Sequence, residues 1–267
     1  MDEWAAARKR QGSVTNVFVA ASSDCFPDLP LDAALQRLVD LEYTRIEISL
    51  RESGNQLKPS QAAANLEQAV LACRETHRLT PVAYTLEIAA AGDEYYRQFA
   101  ACCKLAKATK VVSMTVRSGE LGTPFNEEIE RLRELVRIGS LAGVLVSVKT
   151  ETGRLTENPD TAVVLCDNVK GLGITLDPSH YVTGTVANGR YDQVMRHVYH
   201  VQLRDTTKDK LQVRVGQGEI EYGRLVTQLS KVHYSRALCV DIVELPGSDV
   251  DHAAEMRKMR LLLESLL

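Results

Sequence analysis

Short runs of β-branched and apolar residues alternate along the chain with longer stretches in which apolar positions recur every three or four residues. The short runs are NVFVA (16–20), TRIEIS (44–49), PVAYTLE (81–87), KVVSMTV (110–116), VLVSVKT (144–150), LGITLD (172–177), VYHVQLR (198–204) and ALCVDIV (237–243), and they predict strands. The longer stretches predict helices. Over 31–41 the apolar face is Ala34, Leu35, Leu38, Val39 and Leu41; over 60–77 it is Ala63, Leu66, Val70 and Leu71; over 93–108 it is Tyr96, Phe99, Cys103 and Ala106. Further helical stretches cover 126–140, 157–167, 190–197, 221–231 and 249–267.

Successive strand starts lie roughly 25 to 35 residues apart, the length that a strand, a crossover helix and two loops require. Eight such units point to an α/β fold, a (β/α)8 barrel over 16–267 with an N-terminal extension over 1–15 that carries the sole tryptophan, Trp4. An open doubly wound sheet is the alternative, but no early strand runs into a GxGxxG turn, and the GQG at 216–218 comes late.

Length and composition agree with one large core: 267 residues, 45% of them hydrophobic. The formal charge of −3, without a basic tail or arginine-rich run, gives no support to nucleic-acid binding. Cys25, Cys73, Cys102, Cys103, Cys166 and Cys239 sit within apolar patterns and read as small buried thiols. No secretion signal or spanning segment is evident, so no membrane partner and a cytoplasmic setting are expected. A homo-oligomer is compatible with the sequence.

In a barrel, alternate strand residues face inward, and those at the C-terminal ends converge on one mouth. Strand five then presents Lys149 and, just beyond, Glu151. Strand six ends in Asp177-Pro178-Ser179-His180, a carboxylate and an imidazole suited to a metal or a proton; the same tetrapeptide also serves as plain loop punctuation. Strand seven offers His200, Gln202 and Arg204 on one face. Strand eight places Asp241 in an apolar run, where an unpaired carboxylate is costly and needs a cation or strong donors. Strand two contributes Glu47, and the GQGEIEY stretch brings Glu219 toward the mouth.

CFPDLPLDAALQRLVDLEYTRIEISL (25–50), GLGITLDPSHYVTG (171–184), HVQLRDT (200–206), VRVGQGEIEYGRLV (213–226) and ALCVDIVELPG (237–247) together resemble the xylose isomerase-like TIM-barrel superfamily. Within it the chain is most similar to the sugar phosphate isomerase/epimerase group, which includes inosose dehydratases and is related to metal-dependent apurinic endonucleases. The resemblance implies one divalent metal held by a glutamate, an aspartate, a histidine and a glutamate at the ends of strands five to eight. The matching positions here are Lys149, Asp177, Gln202 and Asp241, a degenerate ligand set in which only the aspartate of strand six is unchanged.

The substitutions conserve charge. Three carboxylates, a neutral histidine and a divalent ion leave one negative charge, and so do one ammonium and two carboxylates. Lys149 is therefore expected to stand in the ion's place, with no cofactor. The competing expectation is one divalent metal (manganese, cobalt, zinc or magnesium) relocated onto Asp177, Asp241, Glu151 and His180.

The implied activity is proton transfer next to a carbonyl of a small polyhydroxylated ligand, giving isomerisation or epimerisation. Glu151 or Glu47 would act as base, His180 as relay, Asp241 would position a hydroxyl, Lys149 would stabilise the enediolate in the metal's stead, and Asp177, Gln202, Arg204 and Glu219 would be substrate-binding groups. The alternative is a sugar-binding or regulatory protein that has lost turnover. The multi-histidine cluster of the endonuclease relatives is not evident.

Overall fold

The computed structural model describes residues 17–184, 186, 189–244 and 251–267. The N-terminal extension with Trp4, the first residue of the strand expected at 16–20, and the start of the helix expected at 249–267 lie outside the described residues. Among those described, eight parallel strands pair in chain order and close into a barrel through β1 and β8. They are β1 (Phe18–Ser22), β2 (Arg45–Arg51), β3 (Thr80–Glu87), β4 (Ser113–Val116), β5 (Leu145–Lys149), β6 (Gly173–Leu176), β7 (Val198–Leu203) and β8 (Ala237–Val240). This is the barrel expected from the repeating pattern, and the open sheet is excluded.

The crossovers are α1 (Leu31–Asp40), α2 (Pro59–Ala64), α3 (Leu66–Ala72), α4 (Gly92–Thr109), α5 (Phe125–Ala142), α6 (Pro159–Asn168), α7 (Pro178–Thr183), α8 (Tyr222–Lys231) and α9 (His252–Glu264). The helix expected over 60–77 is two helices. Asn65 leaves the helical conformation, and its side chain accepts from the Gln68 N–H at 3.1 Å, which caps α3 and ends α2. The stretch expected over 190–197 forms a 3₁₀ turn at Asp192–His197.

Strand alternation sorts the core into two zones. Ile46, Ile48, Tyr84, Met114, Val146, Val148, Ile174, Val201, Leu238 and Val240 belong to the main apolar core, which packs strands against helices. The opposite parity is mostly polar. Thr115 on β4 bonds Thr175 on β6 at 2.7 Å, and His200 on β7 bonds Glu47 on β2 at 2.5 Å. Bonds between strands that are not neighbours must cross the barrel interior, so its filling is hydrogen-bonded. All six cysteines are buried and free, as their apolar settings suggested. Among the described residues no helix is long and apolar enough to cross a membrane.

The GQG motif has a local explanation. The buried Asp205 carboxylate accepts from the N–H groups of Gly216 at 2.8 Å and Gly218 at 3.0 Å, and from Thr206 at 3.1 Å. A Cβ on Gly218 would stand 1.9 Å from Asp205 Oδ1, so only glycine fits. The glycines thus fold the β7–α8 loop onto a carboxylate of the chain itself. Asp205→Ala strips three N–H groups of their acceptor and is expected to cost roughly 3 kcal/mol in urea unfolding; a loss below about 1 kcal/mol would contradict this account of the loop.

Candidate functional site

Four side chains from four consecutive strand ends meet at the mouth. Asp177 follows β6 and caps α7, its Oδ1 accepting from the Ser179 N–H at 3.1 Å and from the Ser179 hydroxyl. This leaves Oδ2 to face the barrel axis. Asp241 follows β8, and its backbone N–H donates to Leu203 O at 2.9 Å, which extends the ladder one residue past the strand. Between the two carboxylates stand the Arg204 guanidinium and the Lys149 ammonium. Arg204 Nη2 lies 2.5 Å from Asp241 Oδ2 and 3.2 Å from Asp177 Oδ2; Lys149 Nζ lies 3.3 Å and 3.7 Å from the same two atoms.

The quartet is almost sealed from water, with relative side-chain exposures of 0% for Asp177, 7% for Asp241, 9% for Arg204 and 13% for Lys149. Burial alone would raise both carboxyl pKa values, but Arg204, with Lys149 in support, outweighs it and holds both below the usual carboxylate range. Burial likewise disfavours the Arg204 charge, and Asp241 and Asp177 reverse that and push its pKa up. Two negative and two positive charges balance, so the low-dielectric mouth holds no net charge from these four groups.

His180 borders Asp177, its Nε2 3.7 Å from Oδ2. Its Nδ1 accepts the backbone N–H of Thr152 at 3.2 Å, so the ring proton sits on Nε2. Burial lowers its pKa, with Lys149 and Arg204 adding to the effect against Asp177, and the imidazole is neutral at pH 7. On the other flank is Asp24, just past the end of β1, which no sequence pattern singled out. Arg51 pairs with it at 2.5 Å. Burial raises the Asp24 pKa to about 6 against Arg51, helped by the nearby Asp241 and Glu47 charges.

The remaining expected residues are placed elsewhere. Gln202 does not join the quartet. Its Nε2 donates to Glu47 Oε1 at 2.7 Å and Thr85 Oγ1 at 3.2 Å, one layer deeper in the barrel, and Arg204 takes the position beside the carboxylates. Glu47 is wholly buried, shared between His200 and Gln202. Glu151 is clamped by Nε and Nη2 of Arg117, whose Nη1 donates to Glu87, and by Arg154 at 3.3 Å, and these arginines outweigh its burial and lower its pKa. Glu219 is exposed on the β7–α8 loop, where its carboxylate accepts from the Lys208 N–H at 3.2 Å. A cavity of about 390 Å³ opens over the ends of β2, β3 and β4, with Glu52, Glu87, Arg117, Ser118, Arg131 and Arg154 in its wall; the quartet, His180 and Asp24 do not line it.

The donor set does not fit a divalent cation at Asp177 and Asp241. The carboxylate oxygens that would bind it already converge on two positive nitrogens. Glu151 and His180 do not complete a group: among the described residues, the one cluster of three His, Cys, Asp or Glu donors within 4.8 Å is the buried Glu47, His200 and Cys239.

A family model described as xylose isomerase-like TIM barrel matches residues 35–262. Among solved structures, a xylose isomerase domain protein from Alicyclobacillus acidocaldarius subsp. acidocaldarius superposes with a TM-score of 0.73 at 13% identity, covering 94% of this chain and 98% of that one. D-psicose 3-epimerase from Clostridium cellulolyticum H10, solved with D-tagatose, gives 0.73 at 11% identity, covering 94% and 99%. A xylose isomerase-like TIM barrel protein from Mycobacterium smegmatis, solved in complex with magnesium, gives 0.69 at 16% identity, covering 93% and 97%. At these identities the likeness establishes the fold. No curated protein matches the chain.

The Asp24 shift makes a pH prediction. Its folded pKa of about 6 exceeds the ordinary 3.8, so between these values the folded state binds more protons and stability falls as pH rises. The difference in unfolding free energy between wild type and Asp24→Asn should therefore decline by roughly 2 to 3 kcal/mol across that window and level off above it, measured by urea unfolding at a series of pH values. A difference that stays flat across the window would refute the assigned environment.

Proposed function

Because the chain belongs to the xylose isomerase-like TIM-barrel family, we propose that its mouth binds a small polyhydroxylated carbonyl compound and moves a proton on the carbon next to the carbonyl, as an isomerase or epimerase does. The observation that carries this reading is the neutral His180, with its proton on Nε2, beside a fixed ammonium and guanidinium. Removing a proton next to a carbonyl places negative charge on the carbonyl oxygen. The Lys149 ammonium is the group at the quartet with most access to solvent, and it is suited to stabilise that oxygen while His180 supplies it with a proton.

Base strength decides among the carboxylates. Glu151, Asp177 and Asp241 have lowered pKa values, whereas Asp24 has a raised one although it too pairs with a cation, Arg51; Glu47 is sealed beneath the mouth. Asp24, with a pKa near 6, is the better matched to accept a proton from carbon at neutral pH. The named 3-epimerase of similar fold supports the substrate class.

A second reading, a sugar-binding or regulatory protein without turnover, draws on the same quartet, because Asp177 and Asp241 are both committed to ion pairs. Keto sugars, inososes and sugar phosphates incubated with the protein in a chelator separate the two. The isomerase reading expects product formation that His180→Gln lowers by about 100-fold in kcat, as loss of a general acid does. Saturable binding of the same compounds with no product would overturn it in favour of the second.

A further inference from the structure

We propose that the mouth carries its own dication, the charge of one divalent ion being divided between Arg204 and Lys149, so that Asp177 and Asp241 do not bind metal. The inference concerns the same mouth as the isomerase reading, but it holds or fails whether or not the protein turns over a substrate.

The arrangement of acceptors is that of an ion site. Asp177 Oδ2 and Asp241 Oδ2 come from different strand ends, yet both lie within 3.2 Å of one atom, Arg204 Nη2, and within 3.7 Å of another, Lys149 Nζ. Two carboxylate oxygens aimed at a common point repel one another unless positive charge lies between them. A bound metal of the magnesium or zinc type would need oxygens at about 2.0 to 2.2 Å, which puts it in the space the guanidinium fills. Two unit charges equal one divalent charge, so the positive charge between the two carboxylates is kept while the exchangeable ion is dispensed with.

The other groups fit this division. Gln202, at the strand-seven position, has turned down to Glu47 and Thr85, and Glu151 is held by Arg117 and Arg154, so neither reaches the quartet as a ligand. Arg204 stays protonated at any pH the protein survives, and its planar donors can address two carboxylates at once. Lys149 is the less buried of the two cations and leaves N–H donors for a ligand oxygen. The cations of the mouth are therefore covalently part of the chain and insensitive to chelation, in contrast to the relative of this fold whose structure was solved with magnesium.

Two measurements on the purified protein test this. After dialysis against a chelator, wild type is equilibrated with cobalt(II) or manganese(II) and desalted, and its metal content and cobalt absorption spectrum are recorded. The expected result is no retained ion at the mouth; one ion per chain that is lost in Asp241→Asn would overturn the proposal. The second is the Tm of Asp241→Asn against wild type, both in chelator. With resident cations the substitution leaves positive charge unpaired and lowers Tm by at least about 6 °C. In a vacated metal site it would relieve repulsion between carboxylates and raise Tm, which would also overturn it. Should the variant fail to fold, the metal content of wild type still decides.

Discussion

The ion pairing of Asp177 and Asp241 with Arg204 and Lys149 is the constraint on which the mouth depends. Each member comes from a different strand end, β5 through β8, so the quartet forms only when those four strands are in register and the barrel is closed. Any one of these charges, left buried without its partners, costs several kcal/mol, more than a typical single side-chain contact returns. The four groups are stable there only together, and they tie the last four strands of the barrel to one another at the end where a ligand enters.

That balance sets the proton affinities around it. The carboxylates within the quartet become weak bases, whereas burial, with Asp241 adding to it against the Arg51 ion pair, raises Asp24 to about 6. His180 is kept neutral by burial and by the nearby cations, and its tautomer is fixed by the Thr152 N–H. The hydrogen-bonded layer below, in which Glu47 is shared by His200 and Gln202, supports the floor of the mouth. The mouth thus holds a neutral imidazole, a carboxylate of raised proton affinity and two cations whose charges two carboxylates cancel.

The barrel was legible in the sequence because alternation along strands such as TRIEIS and VLVSVKT and the apolar stripe of a helix such as 31–41 are local properties of consecutive residues. Asp177, Lys149 and Asp241 were legible too, since strand parity directs strand-end residues to one mouth. What strand parity cannot supply is the partner of a long side chain. Gln202 shares the parity of Arg204, but its amide meets a carboxylate on β2, 155 residues away, and so turns down. Glu151 meets Arg117 just past the end of the neighbouring β4, and Glu219 follows a loop whose path is set by Asp205. Asp24 was missed because SSDCF after β1 has no motif, and its raised proton affinity arises only from burial beside other acids. The Asn65 break was also hidden, because the apolar spacing runs on across it.

The most direct test of the divided dication is a high-resolution crystal structure grown in manganese, with anomalous scattering collected at the manganese edge. The account predicts side-chain nitrogen density of Arg204 and Lys149 between Asp177 and Asp241 and no anomalous peak there. A peak at coordinating distance from both carboxylates, with the two cations displaced, would contradict it.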